Sequence, residues 1–96
     1  MLRTKSEAIY EKSRRVIPGG VNSPVRAFSG LGVSPLIVES GKGDQIQDVD
    51  GNQFIDYCLS WGPLILGHAH PAVVSAAAEQ LSRGSSFGIG SESEQK

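Results

Sequence analysis

The chain has 96 residues, of which 39% are hydrophobic and 20% charged, and its net charge is −1. This balance is typical of an ordinary globular chain, and a pI near 6.1 argues against a nucleic-acid partner. No apolar run reaches the roughly 18 residues that a membrane span needs, and the N-terminus lacks the apolar core of a signal peptide. The single cysteine, Cys58, cannot form an internal disulfide, so we expect a cytoplasmic protein.

The first predicted element is a helix over about residues 5–17. Thr4 and Glu7 have the spacing of a capping box, in which each side chain accepts an otherwise unpaired backbone N–H. Apolar residues then recur close to the 3.6-residue period, and the run Pro18-Gly19-Gly20 ends the helix.

Residues 18–35 are predicted to form a long packed loop, because their prolines and glycines are spaced too closely for regular structure. Arg26 is the only charged residue between Arg15 and Glu39. A guanidinium among apolar neighbours on a stiff loop suits a bidentate carboxylate or phosphate ligand. The alternative is a structural arginine that ties the loop to a backbone carbonyl or a surface acid.

An antiparallel meander of three strands is predicted next, at residues 36–39, 45–49 and 53–59, with turns at 40–43 and 50–52. The second turn contains Asp-Gly, which predicts a type I′ hairpin. A sheet of this size is marginal alone and requires a covering layer.

A second loop with unusual composition spans residues 60–70, and a helix follows from Pro71 to about Gly84. Trp61, the only tryptophan, either closes a pocket over a ligand or fills a core edge. The predicted apolar stripe of this helix consists of Val74, Ala77, Ala78 and Leu81. The fold class is therefore α+β: helix, long loop, three-stranded antiparallel meander, second helix.

Three further patterns each have two interpretations. His68 and His70 could share a metal on an extended segment, or they are turn histidines with His70 capping the second helix. The glycine-rich stretch 84–90 could cradle a phosphate, but it follows a helix, which favours a simple helix stop. The four aspartates around the hairpin lack calcium-loop spacing and are predicted to be turn and strand-edge acids; they are Asp44, Asp48, Asp50 and Asp56.

None of the lysines has the apolar setting that lowers a lysine pKa for Schiff-base chemistry. Lys5 and Lys12 belong to the exposed side of the first helix, Lys42 to a Gly-Lys-Gly turn, and Lys96 is the last residue.

Five segments in order resemble the glutamate-1-semialdehyde 2,1-aminomutase family, a branch of the class III, fold-type I pyridoxal-phosphate (PLP) aminotransferases. They are residues 18–28, 48–57, 60–63, 66–71 and 84–88. Asn-Ser-Pro-Val-Arg-Ala-Phe and Ser-Trp-Gly-Pro are the segments most specific to the aminomutase branch. The Asp-Gly hairpin and Gly-His-x-His-Pro are shared across class III enzymes. The resemblance covers essentially the whole chain.

The resemblance implies that residues 1–96 are the N-terminal segment of a longer enzyme whose large PLP-binding domain lies outside this chain. Such an enzyme converts glutamate-1-semialdehyde to 5-aminolevulinate, a tetrapyrrole (porphyrin) precursor, with pyridoxal or pyridoxamine phosphate as cofactor, and is expected to be a homodimer. By the same resemblance Ser23 and Arg26 bind the substrate carboxylate, and Trp61 packs beside the substrate.

No residue of this chain matches the family's catalytic lysine or its cofactor-binding residues, and none is expected to bind a metal. The isolated chain is therefore not expected to be catalytically competent. Two other interpretations stay open: an ordinary class III ω-aminotransferase, and a non-catalytic dimerisation or binding fragment.

Overall fold

The computed structural model describes residues 1–95 and has the predicted α+β architecture. Helix α1 spans Thr4–Ser13, strands β1, β2 and β3 span Val38–Lys42, Gln45–Asp48 and Gln53–Ile55, and helix α2 spans Pro71–Leu81. The strands form one antiparallel sheet in the order β1-β2-β3. Short 3₁₀ turns lie at Pro18–Gly20, Pro24–Ala27, Leu59–Trp61 and Glu92–Gln95.

Helix α1 ends at Ser13, four residues before the predicted end at Ile17. Residues 14–16 form a turn, and Pro18 restricts the residue before it, Ile17, to an extended conformation. Ile17 is extended, with φ −125° and ψ 126°. Between Ser13 and Ile17 the hydrogen-bond pattern of the α-helix is interrupted: the Val16 N–H donates to the Ser13 carbonyl, three residues back, at 3.1 Å. The apolar periodicity of the sequence therefore continues past the residue at which the helix ends.

The start of α1 is capped by Asp50 from the hairpin, so the predicted Thr4–Glu7 capping box is wrong. The backbone N–H groups of Lys5 and Ser6 donate to the two Asp50 carboxylate oxygens at 2.8 and 2.9 Å. A carboxylate at this end of a helix also interacts favourably with the helix dipole. The contact ties α1 to the sheet across more than forty residues of chain.

We predict that this cap is lost in acid. Burial raises the pKa of Asp50, but the hydrogen bonds from Lys5 and Ser6 lower it further, to below its usual value of 3.8. Because the folded pKa is depressed, the stabilisation is present above pH 3.8 and is lost as the pH falls through the folded value. The backbone N–H groups of Lys5 and Ser6 should therefore lose protection from amide exchange when the pH is lowered through the folded pKa of Asp50.

The matched variants are Asp50→Ala and Thr4→Ala. At neutral pH the loss of the Asp50 cap should accelerate exchange in the first turn of α1 on the order of several-fold. Thr4→Ala should leave exchange unchanged, since the Thr4 side chain makes no hydrogen bond within residues 1–95. Equal effects of the two variants would contradict the assignment of the cap to Asp50.

Strand β1 continues through Lys42, so the turn predicted at 40–43 is wrong and lies instead at Gly43-Asp44. Gly43 has φ +59° at the first position of this two-residue turn, where primed hairpin turns require a positive φ. The register pairs Val38 with Asp48 and Lys42 with Gln45, with a bulge between Val38 and Ser40.

The second hairpin turn differs in type from the prediction. Of its central residues only Gly51 has a positive φ, of 88°, and its N–H donates to the Asp48 carbonyl at 3.0 Å. This is the geometry of a three-residue loop that ends in a left-handed glycine, and it is not a type I′ turn. The buried Asp48 carboxylate closes the loop by accepting the backbone N–H groups of Asp50 and Asn52 at 3.0 and 2.8 Å.

Residues 1–95 contain no buried large hydrophobic side chain; the two fully buried side chains are those of Ser6 and Asp48. The radius of gyration is 16.4 Å, whereas a compact chain of this length has about 13 Å. The predicted apolar stripe of α2 is exposed along its whole length. The described residues therefore present apolar surface that requires a further covering layer.

Candidate functional site

The loop that carries Ser23 and Arg26 is fixed near both ends, by α1 at its start and by Arg3, the residue before α1, at its end. Near its start, the Tyr10 hydroxyl donates to the Gly19 carbonyl at 3.3 Å. The adjacent Gly20 is buried so closely that a Cβ there would lie 2.6 Å from Tyr10 Cε2. Near its end, the Arg3 guanidinium donates to the Ser34 carbonyl. The predicted packed loop is thus held in a defined shape.

Within this loop, Ser23 and Arg26 share one short turn. Ser23 precedes the 3₁₀ turn Pro24–Ala27, and its carbonyl accepts the Arg26 N–H at 2.9 Å. Phe28 ends the turn in the left-handed region, with φ 55°. Within residues 1–95 neither the Ser23 hydroxyl nor the exposed Arg26 guanidinium makes a hydrogen bond or an ion pair. The structural interpretation of Arg26, a tie to a carbonyl or an acid, therefore finds no partner in the part of the chain described.

Trp61 lies on an irregular turn directly after the sheet, and its side chain is not part of a core. It is 77% exposed, which excludes the core-edge interpretation for residues 1–95. Its backbone has φ 70°, and Leu59 and Ser60 before it also have positive φ. No hydrogen bond joins Trp61 to Ser23 or Arg26 within the described residues.

Two cavities of the chain lie away from Ser23, Arg26 and Trp61. One of about 450 Å³ separates α1 from the loop and is lined by residues that include Tyr10, Phe28 and Val33. Another of about 650 Å³ lies beyond the C-terminal end of α2, around Gln80 and Phe87. Neither is lined by Ser23, Arg26 or Trp61. The Arg26 and Trp61 side chains are exposed in this segment, and Ser23 is half-buried.

Asp56 and His68 form a close pair that was not predicted from the sequence. Their side chains meet at 2.6 Å, between Asp56 Oδ2 and His68 Nε2, and both are largely buried. Asp56 Oδ1 accepts the N–H groups of Cys58 and Leu59 at 2.9 and 3.1 Å, which ends β3 at Ile55 rather than at the predicted Leu59. The His68 hydrogen bond, followed by that from the Cys58 N–H, lowers the pKa of Asp56.

A signal for this pair was present in the sequence. An aspartate followed two and three residues later by free N–H groups is the pattern of an Asx turn, which ends a strand. The partner, His68, could not be identified in this way, since twelve residues and a loop separate the two.

Within residues 1–95, His68 and His70 are not part of a cluster of metal-ligating side chains. No group of three or more histidine, cysteine or acidic side chains able to hold a metal ion was found among residues 1–95. His70 occupies the position before α2 without capping it through its side chain. In the same range, no helix is both long and apolar enough to cross a bilayer.

The glycine-rich stretch after α2 has the geometry of a helix stop. Gly84 has φ 96°, and its carbonyl accepts a hydrogen bond from the Gln80 side chain at 2.8 Å. The next turn is closed by the Glu94 carboxylate, which accepts the Ser91 N–H at 3.0 Å. An acidic side chain in this position opposes phosphate binding, so the helix-stop interpretation applies.

Comparison with known proteins assigns the family. The model of the class-III aminotransferase family matches residues 29–95. The chain therefore belongs to the class-III aminotransferases. A curated relative from Chloroflexus aggregans, named glutamate-1-semialdehyde 2,1-aminomutase, is 62% identical over 91 residues, which are 95% of this chain and 21% of the relative. The resemblance to the aminomutase branch is thus confirmed, and the chain spans about a fifth of the length of the curated relatives it matches.

Solved structures agree. A transaminase with PLP bound has a TM-score of 0.82 and 40% identity, covering 98% of this chain and 22% of that one. A glutamate-1-semialdehyde aminomutase from Pseudomonas aeruginosa has a TM-score of 0.80 and 32% identity, covering 96% of this chain and 20% of that one. The expected class of fold, a part of a PLP-dependent aminotransferase, is therefore confirmed.

Proposed function

We propose that this chain supplies the substrate-carboxylate side of the active site of a glutamate-1-semialdehyde 2,1-aminomutase. The enzyme would convert glutamate-1-semialdehyde to 5-aminolevulinate, a tetrapyrrole precursor. The observation that carries the proposal is Arg26, an exposed guanidinium that has no partner within residues 1–95. It lies in the 18–35 loop, which Tyr10 of α1 holds near its start and Arg3 holds near its end. The high identity to a relative of that name supports the particular reaction.

The proposed roles follow from the chemistry of the side chains. Arg26 binds the carboxylate through two parallel N–H groups, and the nearby Ser23 hydroxyl donates a further hydrogen bond. Trp61 packs its exposed indole beside the substrate. In this isomerisation the amino and oxo groups exchange between two neighbouring carbons of the substrate. Each of these carbons has to be presented for reaction in turn, and an anchored carboxylate limits the positions that they can take.

The described residues do not fit the attachment of pyridoxal phosphate. Schiff-base chemistry requires a lysine in an apolar setting, whereas Lys5, Lys12 and Lys42 are all exposed. Lys96 lies outside the described residues. We therefore propose that the cofactor is held by residues beyond this segment, in a separate large domain, and that the segment is not active without them.

An ordinary class III ω-aminotransferase is the second candidate, and the 34% identity to a solved omega-transaminase from Sphaerobacter thermophilus favours it. The two candidates differ in whether a second substrate is needed. The complete enzyme, incubated with glutamate-1-semialdehyde and no added keto acid, should form 5-aminolevulinate. A strict requirement for a keto acid would refute the aminomutase and support the ω-aminotransferase.

We further propose that the complete enzyme is a cytoplasmic homodimer. The uncovered apolar face of α2 and the thin three-stranded sheet support the dimer, since both present surface made to be covered. A lone cysteine suits a reducing compartment. Taken alone, the 96-residue chain would then act as a non-catalytic dimerisation fragment. Analytical ultracentrifugation of the complete enzyme tests the homodimer, and a monomer without self-association would contradict it.

A further inference from the structure

The turn that carries Trp61 has an unfavourable backbone. Leu59, Ser60 and Trp61 have φ values of 45°, 59° and 70°, and Gly62 follows with 108°. Three successive non-glycine residues in the left-handed region persist only where the surrounding structure holds them there. Backbone strain of this kind is concentrated at functional sites, where neighbouring residues hold the strained conformation.

The indole itself does not supply that support. The Trp61 side chain is 77% exposed, so packing of the ring within residues 1–95 cannot fix its position. The position of the indole must therefore be fixed by the backbone of the turn. Two hydrogen bonds lie inside the turn: the Trp61 N–H donates to the Cys58 carbonyl at 2.9 Å, and the Gly62 N–H donates to the Leu59 carbonyl at 3.2 Å.

The remaining support comes from Asp56. One carboxylate oxygen accepts the N–H groups of Cys58 and Leu59, which are the first residues of the turn, at 2.9 and 3.1 Å. The other oxygen meets His68 Nε2 at 2.6 Å. Both oxygens are therefore engaged, and the carboxylate links the strained turn to a residue on the far side of the 60–70 loop.

His68 in turn is fixed to the sheet. Its backbone exchanges two hydrogen bonds with Gly43, at 2.7 and 2.9 Å. Its ring lies so close to Gly41 that a Cβ there would be 2.7 Å from His68 Cγ. His68 thus has a defined position on the first hairpin, and its hydrogen bond restrains the Asp56 carboxylate relative to that hairpin.

We propose that Asp56 and His68 are positioning residues for Trp61, holding its left-handed turn against the hairpin and so fixing where the indole meets the substrate. The last clause rests on the proposed function, because Trp61 matters to catalysis only if it lies beside the substrate. The pair acts through the backbone of the turn and does not itself touch the substrate.

The test uses the complete enzyme labelled with 5-fluorotryptophan, in which the ¹⁹F resonance of Trp61 is assigned by its loss in Trp61→Phe. Asp56→Ala and His68→Leu should shift or broaden this resonance and raise KM for glutamate-1-semialdehyde about tenfold, with kcat within about threefold. Asp56→Asn and His68→Gln retain hydrogen-bonding groups and should lie closer to the wild type.

The matched control is Asp50→Ala. Asp50 also accepts two successive backbone N–H groups, but at α1, so its loss should leave the Trp61 resonance unmoved. An unchanged Trp61 resonance in Asp56→Ala and His68→Leu would overturn the inference. A resonance that moves while KM stays constant would support the positioning role and refute the proposed place of Trp61 beside the substrate.

Discussion

Replacing Arg26 with alanine should reduce kcat/KM of the complete enzyme for glutamate-1-semialdehyde on the order of 30- to 5,000-fold. The range corresponds to the loss of one desolvated, charge-assisted carboxylate contact, about 2–5 kcal/mol. Because Arg26 has no other partner within residues 1–95, the variant should lose substrate binding without unfolding its loop. Steady-state kinetics measures the loss directly.

Two variants serve as controls for this prediction. Arg26→Lys keeps the charge but loses the bidentate geometry, so it should lie between wild type and alanine. Arg15→Ala removes another exposed arginine after α1, and its kcat/KM should stay within about twofold of the wild type, as for most surface substitutions. An Arg26→Ala enzyme as active as Arg15→Ala would show that the carboxylate binds elsewhere.

Replacing Gly67 with alanine should release the 60–70 loop from the hairpin. Gly67 has φ +77°, and a Cβ there would lie 2.5 Å from the Gly43 carbonyl oxygen, the atom that accepts the His68 N–H. Backbone atoms cannot move aside as a flexible side chain would. The Gly43–His68 bridge should therefore open, and with it the contact between His68 and Asp56.

Gly43→Ala is the matched control, since Gly43 also has a positive φ, of +59°, but no atom within 4 Å of the added methyl group. It should show only the left-handed strain, about 1–2 kcal/mol. Amide exchange at His68 should be faster in Gly67→Ala than in Gly43→Ala by about tenfold or more, because the steric clash adds to the strain. Equal exchange in the two variants would mean that the close approach at Gly67 does not hold the bridge.

Local signals in the sequence predicted the elements whose causes are local. Pro71 at a first helical position and Gly84 after the last turn bracket α2 well, and the alternation in residues 45–48 identifies β2. Loop 18–35 was also predicted, because prolines and glycines act on their own backbone and their immediate neighbours. The architecture followed from these elements.

Some of the errors arise where a distant residue decides the local structure. Asp50 caps a helix more than forty residues away, which a capping-box pattern cannot reveal. Strand β1 pairs with β2 through Gly41 and Lys42, and Gly41 lies against the His68 ring, a contact made only after the loop folds back. The left-handed turn at Trp61 is likewise held by Asp56, whose role depends on His68.

The candidate site divides in the same way. Arg26 could be singled out from the sequence by its isolation among apolar residues, and the family motifs gave Ser23 and Trp61. The arrangement of the three side chains around the substrate could not be predicted. Arg26 and Trp61 are exposed in this segment, and no hydrogen bond joins Trp61 to Ser23 or Arg26 within residues 1–95. The supporting pair, Asp56 and His68, became visible only in the fold.

A double-mutant cycle shows whether Arg26 binds the carboxylate of the substrate. Wild type and Arg26→Ala are each assayed with glutamate-1-semialdehyde and with its analogue whose carboxylate is a neutral carboxamide. The wild type should prefer the acid by on the order of 30-fold or more, and Arg26→Ala should lose most of that preference. If Arg26→Ala slows the acid and the amide by the same factor, the guanidinium does not recognise that carboxylate and the account fails.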